Sequence, residues 1–77
     1  QIICEILQVT NGGVSRRIKI MYRANLSYAQ LKGYIIFLTE RDLLRYDLNT
    51  NTFKTTEKGL NLLQAYNAIN HTIQYTR

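Results

Sequence analysis

Arg16, Arg17, Lys19, Arg23 and Lys32 place five cations in the first 39 residues, opposed there by Glu5 alone. Residues 40–58 are balanced, and the whole chain carries a net charge of +5 with a pI near 9.7. Cations gathered on one side of a domain favour a polyanion, most often nucleic acid. Arg16 and Arg17 fall at the first positions of a helix, where the helix dipole disfavours a cation by roughly a few tenths of a kcal/mol and a bound anion relieves that cost. Ser27, Tyr28, Gln30 and Lys32 are a different set: a hydroxyl, a phenol, an amide and an ammonium within six residues. A glutamine amide pairs with adenine edges, and a lysine reaches a guanine or a phosphate. Arg45 and Lys54 add two cations on a later hairpin, placed to touch phosphates at the flank.

Bond-breaking chemistry has no comparable set. Cys4 and His71 are the only residues of their kinds and stand near opposite ends of the chain. No metal-ligand spacing, nucleophile–base pair, glycine-rich phosphate loop or carboxylate pair can be read. The expectation is a protein that is not an enzyme and takes no cofactor and no metal. A single cysteine allows no internal disulfide and fits a reducing compartment. The longest apolar run, "YIIFL" at 34–38, is too short to span a bilayer, and no charged-then-apolar leader opens the chain. Its first residue, Gln1, is not methionine, which leaves room for sequence before it.

These side chains need elements to hold them, and 77 residues suffice for one domain with a single modest core. Residues 2–9, "IICEILQV", put Ile2, Ile6 and Val9 on one stripe and Ile3 and Leu7 on another, the pattern of a short helix held between neighbours. "TNGG" at 10–13 stops it, since asparagine and glycine accept the left-handed geometry of a helix end. Ser15 is placed to cap a second helix, "SRRIKIMYRA", with Ile18, Met21 and Tyr22 at inward spacing. Asn25 makes the turn. Ser27 caps a third helix and Gln30 completes the capping box, while Leu26 and Leu31 form the matching hydrophobic staple. Leu31, Tyr34, Ile35 and Leu38 follow on its buried face. Gly33 lies about 200° around from Leu31 and faces outward between Gln30 and Lys32. A glycine inside a helix costs about 1 kcal/mol relative to alanine, so the missing side chain asks for a reason. Close approach to a DNA major groove is one; packing against another helix, across a subunit interface for instance, is the other.

After "ERD" the period changes. Leu44, Tyr46 and Leu48 alternate with Arg45, Asp47 and Asn49 as a strand, "NTNT" turns, and "FKT" at 53–55 returns. The tip, "LNTNT", carries no arginine or lysine, so the hairpin is expected to touch phosphates at most. Thr56 caps a last helix from residue 57 to about 75, roughly 28 Å long. Leu62, Tyr66, Ile69 and Ile73 repeat in the 4-3-4 spacing of a coiled-coil seam, while Leu60 and Leu63 sit on another side and reach the body. The two apolar sides predict a homodimer. Of the tyrosines, Tyr22, Tyr34 and Tyr66 fall on inward stripes, and Tyr28 alone is near the outward face of the third helix.

The order helix, helix, turn, helix, hairpin, long helix is the plan of a winged helix-turn-helix domain. The fold class is mainly α with a β-hairpin: three packed helices and a two-stranded wing over residues 1–56, then a dimerisation helix at 57–77. The runs "RIKIMYRANLSYAQLKGYIIFL" and "YDLNTNTFKTTEKGLNLLQAY" resemble archaeal winged helix-turn-helix proteins, particularly the small basic crenarchaeal DNA-binding proteins that dimerise through a C-terminal antiparallel coiled coil. "IMYRANLSYAQLKGYI" carries most of the likeness, and "TTEKG" is common to many winged helices. The resemblance implies double-stranded DNA binding, a chromatin or transcriptional role and a dimer. A shorter terminal helix and a lysine-poor tail set this chain apart from the chromatin-like members.

The expected function is therefore double-stranded DNA binding by a transcriptional regulator or chromatin-associated protein. Its recognition helix is residues 27–40, and its place is cytoplasmic, on the nucleoid, with no membrane partner. A protein-interaction module using Ile36, Phe37 and the terminal seam is the alternative, and RNA binding a third reading.

Overall fold

The computed structural model describes residues 1–13 and 15–75, with side chains described as far as Asn70. His71 and Ile73, the last position of the expected seam, therefore lie outside the described side chains. Four helices, α1 (Ile2–Asn11), α2 (Arg17–Ala24), α3 (Tyr28–Glu40) and α4 (Glu57–Tyr75), are joined by a hairpin of β1 (Leu44–Asp47) and β2 (Thr52–Thr55) between the last two.

The first helix is apolar on both expected stripes. Ile6 and Leu7 are fully buried, Ile2, Ile3 and Val9 pack at the core's edge, and α1 touches α2, β2 and α4. It runs two residues further than residues 2–9, through Thr10 and Asn11. The Thr10 hydroxyl bonds the Ile6 carbonyl at 2.9 Å and lies 2.6 Å from the Thr55 hydroxyl, which donates to the Leu7 carbonyl at 2.6 Å. Gly12 closes the helix at φ −76°, and it is Gly13, at φ 132°, that takes the backbone conformation only glycine accepts readily.

Ser15 does not cap α2. Its N–H and carbonyl pair with Phe53 at 3.4 and 2.7 Å, making a short third rung beside the hairpin, and its hydroxyl donates to the Val9 carbonyl. Arg16 occupies the cap position with no side-chain hydrogen bond. The inward face of α2 is also not the expected one. Ile20 and Ala24 are buried, Met21 is half-buried, and Ile18 (65% exposed) and Tyr22 (83% exposed) face solvent. Apolar residues at 18, 20, 21 and 22 fit two helical faces, and packing against α1 and α3 selects the one through Ile20.

Asn25 ends α2 in the left-handed conformation, φ 56° and ψ 53°, and α3 begins as the local signals require. The Gln30 N–H donates to the Ser27 hydroxyl at 3.2 Å and the Ser27 N–H donates to the Gln30 amide oxygen at 2.9 Å. Leu26, Leu31 and Leu38 are buried, with Tyr34 and Ile35 packed beside them.

The hairpin pairs Leu44 with Thr55, Arg45 with Lys54, Tyr46 with Phe53 and Asp47 with Thr52. Alternation then puts Leu44, Tyr46, Phe53 and Thr55 on the body side and Arg45, Asp47 and Lys54 on the other. Leu48 is not a strand residue. It lies exposed in the turn, which is closed by the Asn51 N–H on the Asp47 carbonyl (2.8 Å) and the Asn49 N–H on the Asp47 carboxylate (2.9 Å).

Thr56 caps α4, accepting from the Gly59 N–H at 3.0 Å while its hydroxyl donates to the Asp42 carbonyl at 2.7 Å. Leu63 is buried and Tyr66 packs against the core, whereas Leu62 (41% exposed) and Ile69 (62% exposed) point away. Tyr66 thus sits on the body-facing line of α4 rather than on the side that carries Leu62 and Ile69.

Candidate nucleic-acid interface

The outer line of α3 runs through Ala29, Gly33, Ile36 and Glu40, which fall within about 60° of one another at 100° per residue. A methyl group at Gly33 would meet nothing within 4 Å. Lys32 and Tyr28 stand on one flank of this line and Gln30 and Phe37 on the other. The Lys32 flank opens into a cleft shared with Arg17 of α2 and lined also by Tyr28, Leu31, Ile35 and Ile36. The opposite flank is an almost wholly apolar groove of Ile3, Ala29, Gly33, Tyr34 and Phe37, with the Gln30 amide at its edge.

Gln30 does two jobs in the sequence reading, and the geometry makes them compete. Its amide oxygen holds the start of the helix, so only the NH2 remains to meet a base edge. A bidentate pair with adenine needs both ends of the amide. Ser27 is less constrained: its oxygen accepts from Gln30 while its own proton is still available to a ligand.

The basic residues of α2 do not form one strip. Arg17 turns toward the wing, its Cζ 5.3 Å from the Tyr46 ring centroid and 5.0 Å from that of Phe53, with Nη1 donating to the Asn51 amide oxygen at 3.5 Å. Arg23 lines a separate cleft with Glu5, Gln8 and Val9 of α1. Arg16 and Lys19 are exposed, and Lys19 lies about 200° around α2 from Arg17. Arg45 and Lys54 are directly opposed on the outer face of the hairpin, and they line a cleft with Thr55, Thr56 and Glu57 at the start of α4. Like charges so placed repel, which an anion between them would relieve.

Three features escaped the sequence reading. Arg41 ends α3 with its guanidinium 3.7 Å above the Phe37 ring and Nη1 on the Phe37 carbonyl at 3.3 Å, shielding that ring. An aromatic residue four positions before an arginine was the available signal. Tyr46 and Phe53, with centroids 4.8 Å apart, and Asn51, which accepts from the Tyr46 hydroxyl, gather around Arg17. Only the strand register brings them there.

Among the described residues no group of three or more His, Cys, Asp or Glu is placed to hold a metal, and no helix is long and apolar enough to cross a membrane. The Cys4 thiol is free, and burial pushes its pKa upward.

Three helices with a short turn between the second and third, a two-stranded wing and a further helix are joined by a direct sequence match: the family described as winged helix-turn-helix covers residues 1–74. The chain belongs to the winged helix-turn-helix family. Among curated proteins nothing matches it. Winged helix-turn-helix domains are typically DNA-binding and without catalytic activity, and their third helix is the one that enters the major groove. In this winged helix-turn-helix chain the corresponding element is α3. Its neighbour across the cleft is Arg17.

Proposed function

We propose that the protein binds double-stranded DNA as a transcriptional regulator or chromatin-associated protein, with α3 and its Ser27 cap in the major groove. The observation that carries this reading is the open outer line of α3, where Gly33 has free space above it and Lys32 and Arg17 share the adjoining cleft. The short side chains at Ala29 and Gly33 let the first half of the helix come close to base edges, and two cations beside it meet the phosphates that rim the groove. Ser27, Tyr28, the Gln30 NH2 and Lys32 face the bases. Arg16, Arg17, Lys19 and Arg23 serve the backbone on either side of α2, and Arg45 and Lys54 serve it at the wing.

Two copies joined along α4 would set two recognition helices on one duplex. The exposed Leu62 and Ile69 support that assembly, as does the resemblance to crenarchaeal proteins that dimerise through this helix. Such a protein works on the nucleoid, in the cytoplasm.

Titration of a random-sequence duplex across a salt series tests the reading. The logarithm of affinity should fall linearly with the logarithm of salt, with a slope of about −0.9 per phosphate contacted. Replacing Arg16 and Arg17 by alanine should weaken binding on all sequences alike and flatten that slope. A duplex affinity that is negligible at low salt would remove the assignment. The competing reading, a protein-docking module, has its own support in the exposed Ile36 and the groove between Ile3 and Phe37. It predicts weak duplex binding without site preference in the same titration.

A further inference from the structure

Arg17 is exposed, yet its side chain meets three residues of the wing. Its guanidinium lies over both wing rings, within the reach of a cation–π contact to each. The rings are tilted by 44° with centroids 4.8 Å apart. Phe53 is fully buried, and its backbone pairs with Ser15, two residues before Arg17. The chain leading into Arg17 is therefore fastened to the residue on whose ring the side chain rests. The remaining tether is weak: Nη1 reaches the Asn51 amide oxygen at 3.5 Å, at the limit of a hydrogen bond, and that oxygen already accepts from the Tyr46 hydroxyl. Of the five N–H donors on a guanidinium, one is engaged and engaged poorly. Arg17 also lines the cleft in which Lys32 and Tyr28 of α3 stand.

We propose that the wing of this protein is a platform for Arg17: Tyr46 and Phe53 hold the guanidinium in place so that its N–H edge is presented, already ordered, to a DNA phosphate beside α3. Tyr46 and Phe53 are positioning residues, and Arg17 is the group that touches the ligand. The inference rests on the DNA-binding reading and gives the wing a role its tip lacks, since residues 48–51 carry no cation. Holding the guanidinium against the two rings removes rotamer freedom before binding, so less is lost when the phosphate arrives. What is presented is a planar, two-pronged donor edge, which lysine does not have.

The test compares Arg17→Ala, Arg17→Lys, Tyr46→Leu, Tyr46→Phe and the double variant R17A/Y46L for duplex affinity across salt, with thermal melts to verify folding. Arg17→Ala should weaken binding about tenfold and reduce the salt slope by about one. Arg17→Lys should restore the slope without restoring the affinity. Tyr46→Leu changes no charge, yet should weaken binding about fivefold, while Tyr46→Phe, which keeps the ring, should bind as the parent does. In the Arg17→Ala background Tyr46→Leu should cost nothing more, because the ring then has nothing to hold. Parental affinity in Arg17→Lys, or an equal cost of Tyr46→Leu with and without Arg17, overturns the platform and leaves DNA binding intact. Absence of duplex binding by the parent protein removes both. If Tyr46→Leu fails to fold, Arg17→Lys and Tyr46→Phe decide.

Discussion

Replacing Gly33 and Gly59 separately by alanine should move stability in opposite directions. Gly33 lies inside its helix, where alanine is intrinsically better by about 1 kcal/mol, whereas Gly59 is in the first turn of α4, where that gain is smaller. At Gly33 a methyl group meets nothing within 4 Å, so that gain is unopposed, and the melting temperature of a domain this size should rise by about 4–8 °C. At Gly59 the added Cβ would stand 2.2 Å from the Leu43 carbonyl oxygen and 2.8 Å from the Thr55 methyl, where ordinary contacts begin at 3.4 Å. The start of α4 must then retreat by on the order of 1 Å. Overpacking costs about 1–3 kcal/mol. The retreat also strains the Thr56 N–H on the Leu43 carbonyl (3.2 Å) and the Thr56 hydroxyl on the Asp42 carbonyl (2.7 Å). Each such bond contributes about 1 kcal/mol. With at most about 1 kcal/mol of propensity gain subtracted, Gly59→Ala should lose about 2–4 kcal/mol. Thermal and guanidinium unfolding followed by circular dichroism read both effects, and a duplex titration of Gly33→Ala adds the functional half. A methyl on the line of closest approach should weaken DNA binding several-fold in a protein that has become more stable. A lower melting temperature for Gly33→Ala would mean that this face is covered, and a higher one with unchanged duplex affinity would take it out of the groove. An unharmed Gly59→Ala would refute the close seating of α4.

Gln30→Ala should cost about 0.5–1 kcal/mol in urea unfolding through loss of the capping box, with little change in preference among duplexes, because half of the amide is already committed. Leu62→Glu combined with Ile69→Glu should leave the fold intact, both residues being exposed, and should shift sedimentation toward the monomer; an unaltered sedimentation profile would exclude this side of α4 as an interface. Cys4 should resist alkylation in the native protein at neutral pH, since burial raises its pKa and keeps it as the unreactive thiol. Its labelling should accelerate as pH rises and become fast in urea; rapid native labelling at neutral pH would contradict the buried placement.

What could be read directly from the chain was local. Ser27 with Gln30 and Leu26 with Leu31 agree on one helix start within six residues, and the structure begins α3 there. Thr56 capping the last helix and Asn25 in the turn belong to the same kind. Contacts far apart in sequence were not legible. Ser15 has the right chemistry for a cap, but a backbone pairing with Phe53 claims it. The face of α2 was ambiguous because its eight residues put apolar side chains on two competing lines alongside three cations, and only packing chooses between them. The candidate site divides in the same way. The exposure of Gly33 and Lys32 follows from helical spacing, whereas the meeting of Arg17 with Tyr46, Phe53 and Asn51 depends on a hairpin more than 25 residues downstream.

The seating of α4 has a mechanical consequence. Resting on the Leu43 carbonyl and latched to Asp42, the helix leaves the body in one direction, while the far end of α3 reaches the same two residues through Asp42 and Leu43 bonding back to Thr39 and Leu38. From Gly59 to Asn70 is a lever of roughly 16 Å, so a tilt of about 10° at its pivot swings the far end by about 3 Å. Whatever engages that far end inherits the angle fixed at the pivot, and a single methyl group there is enough to change the aim.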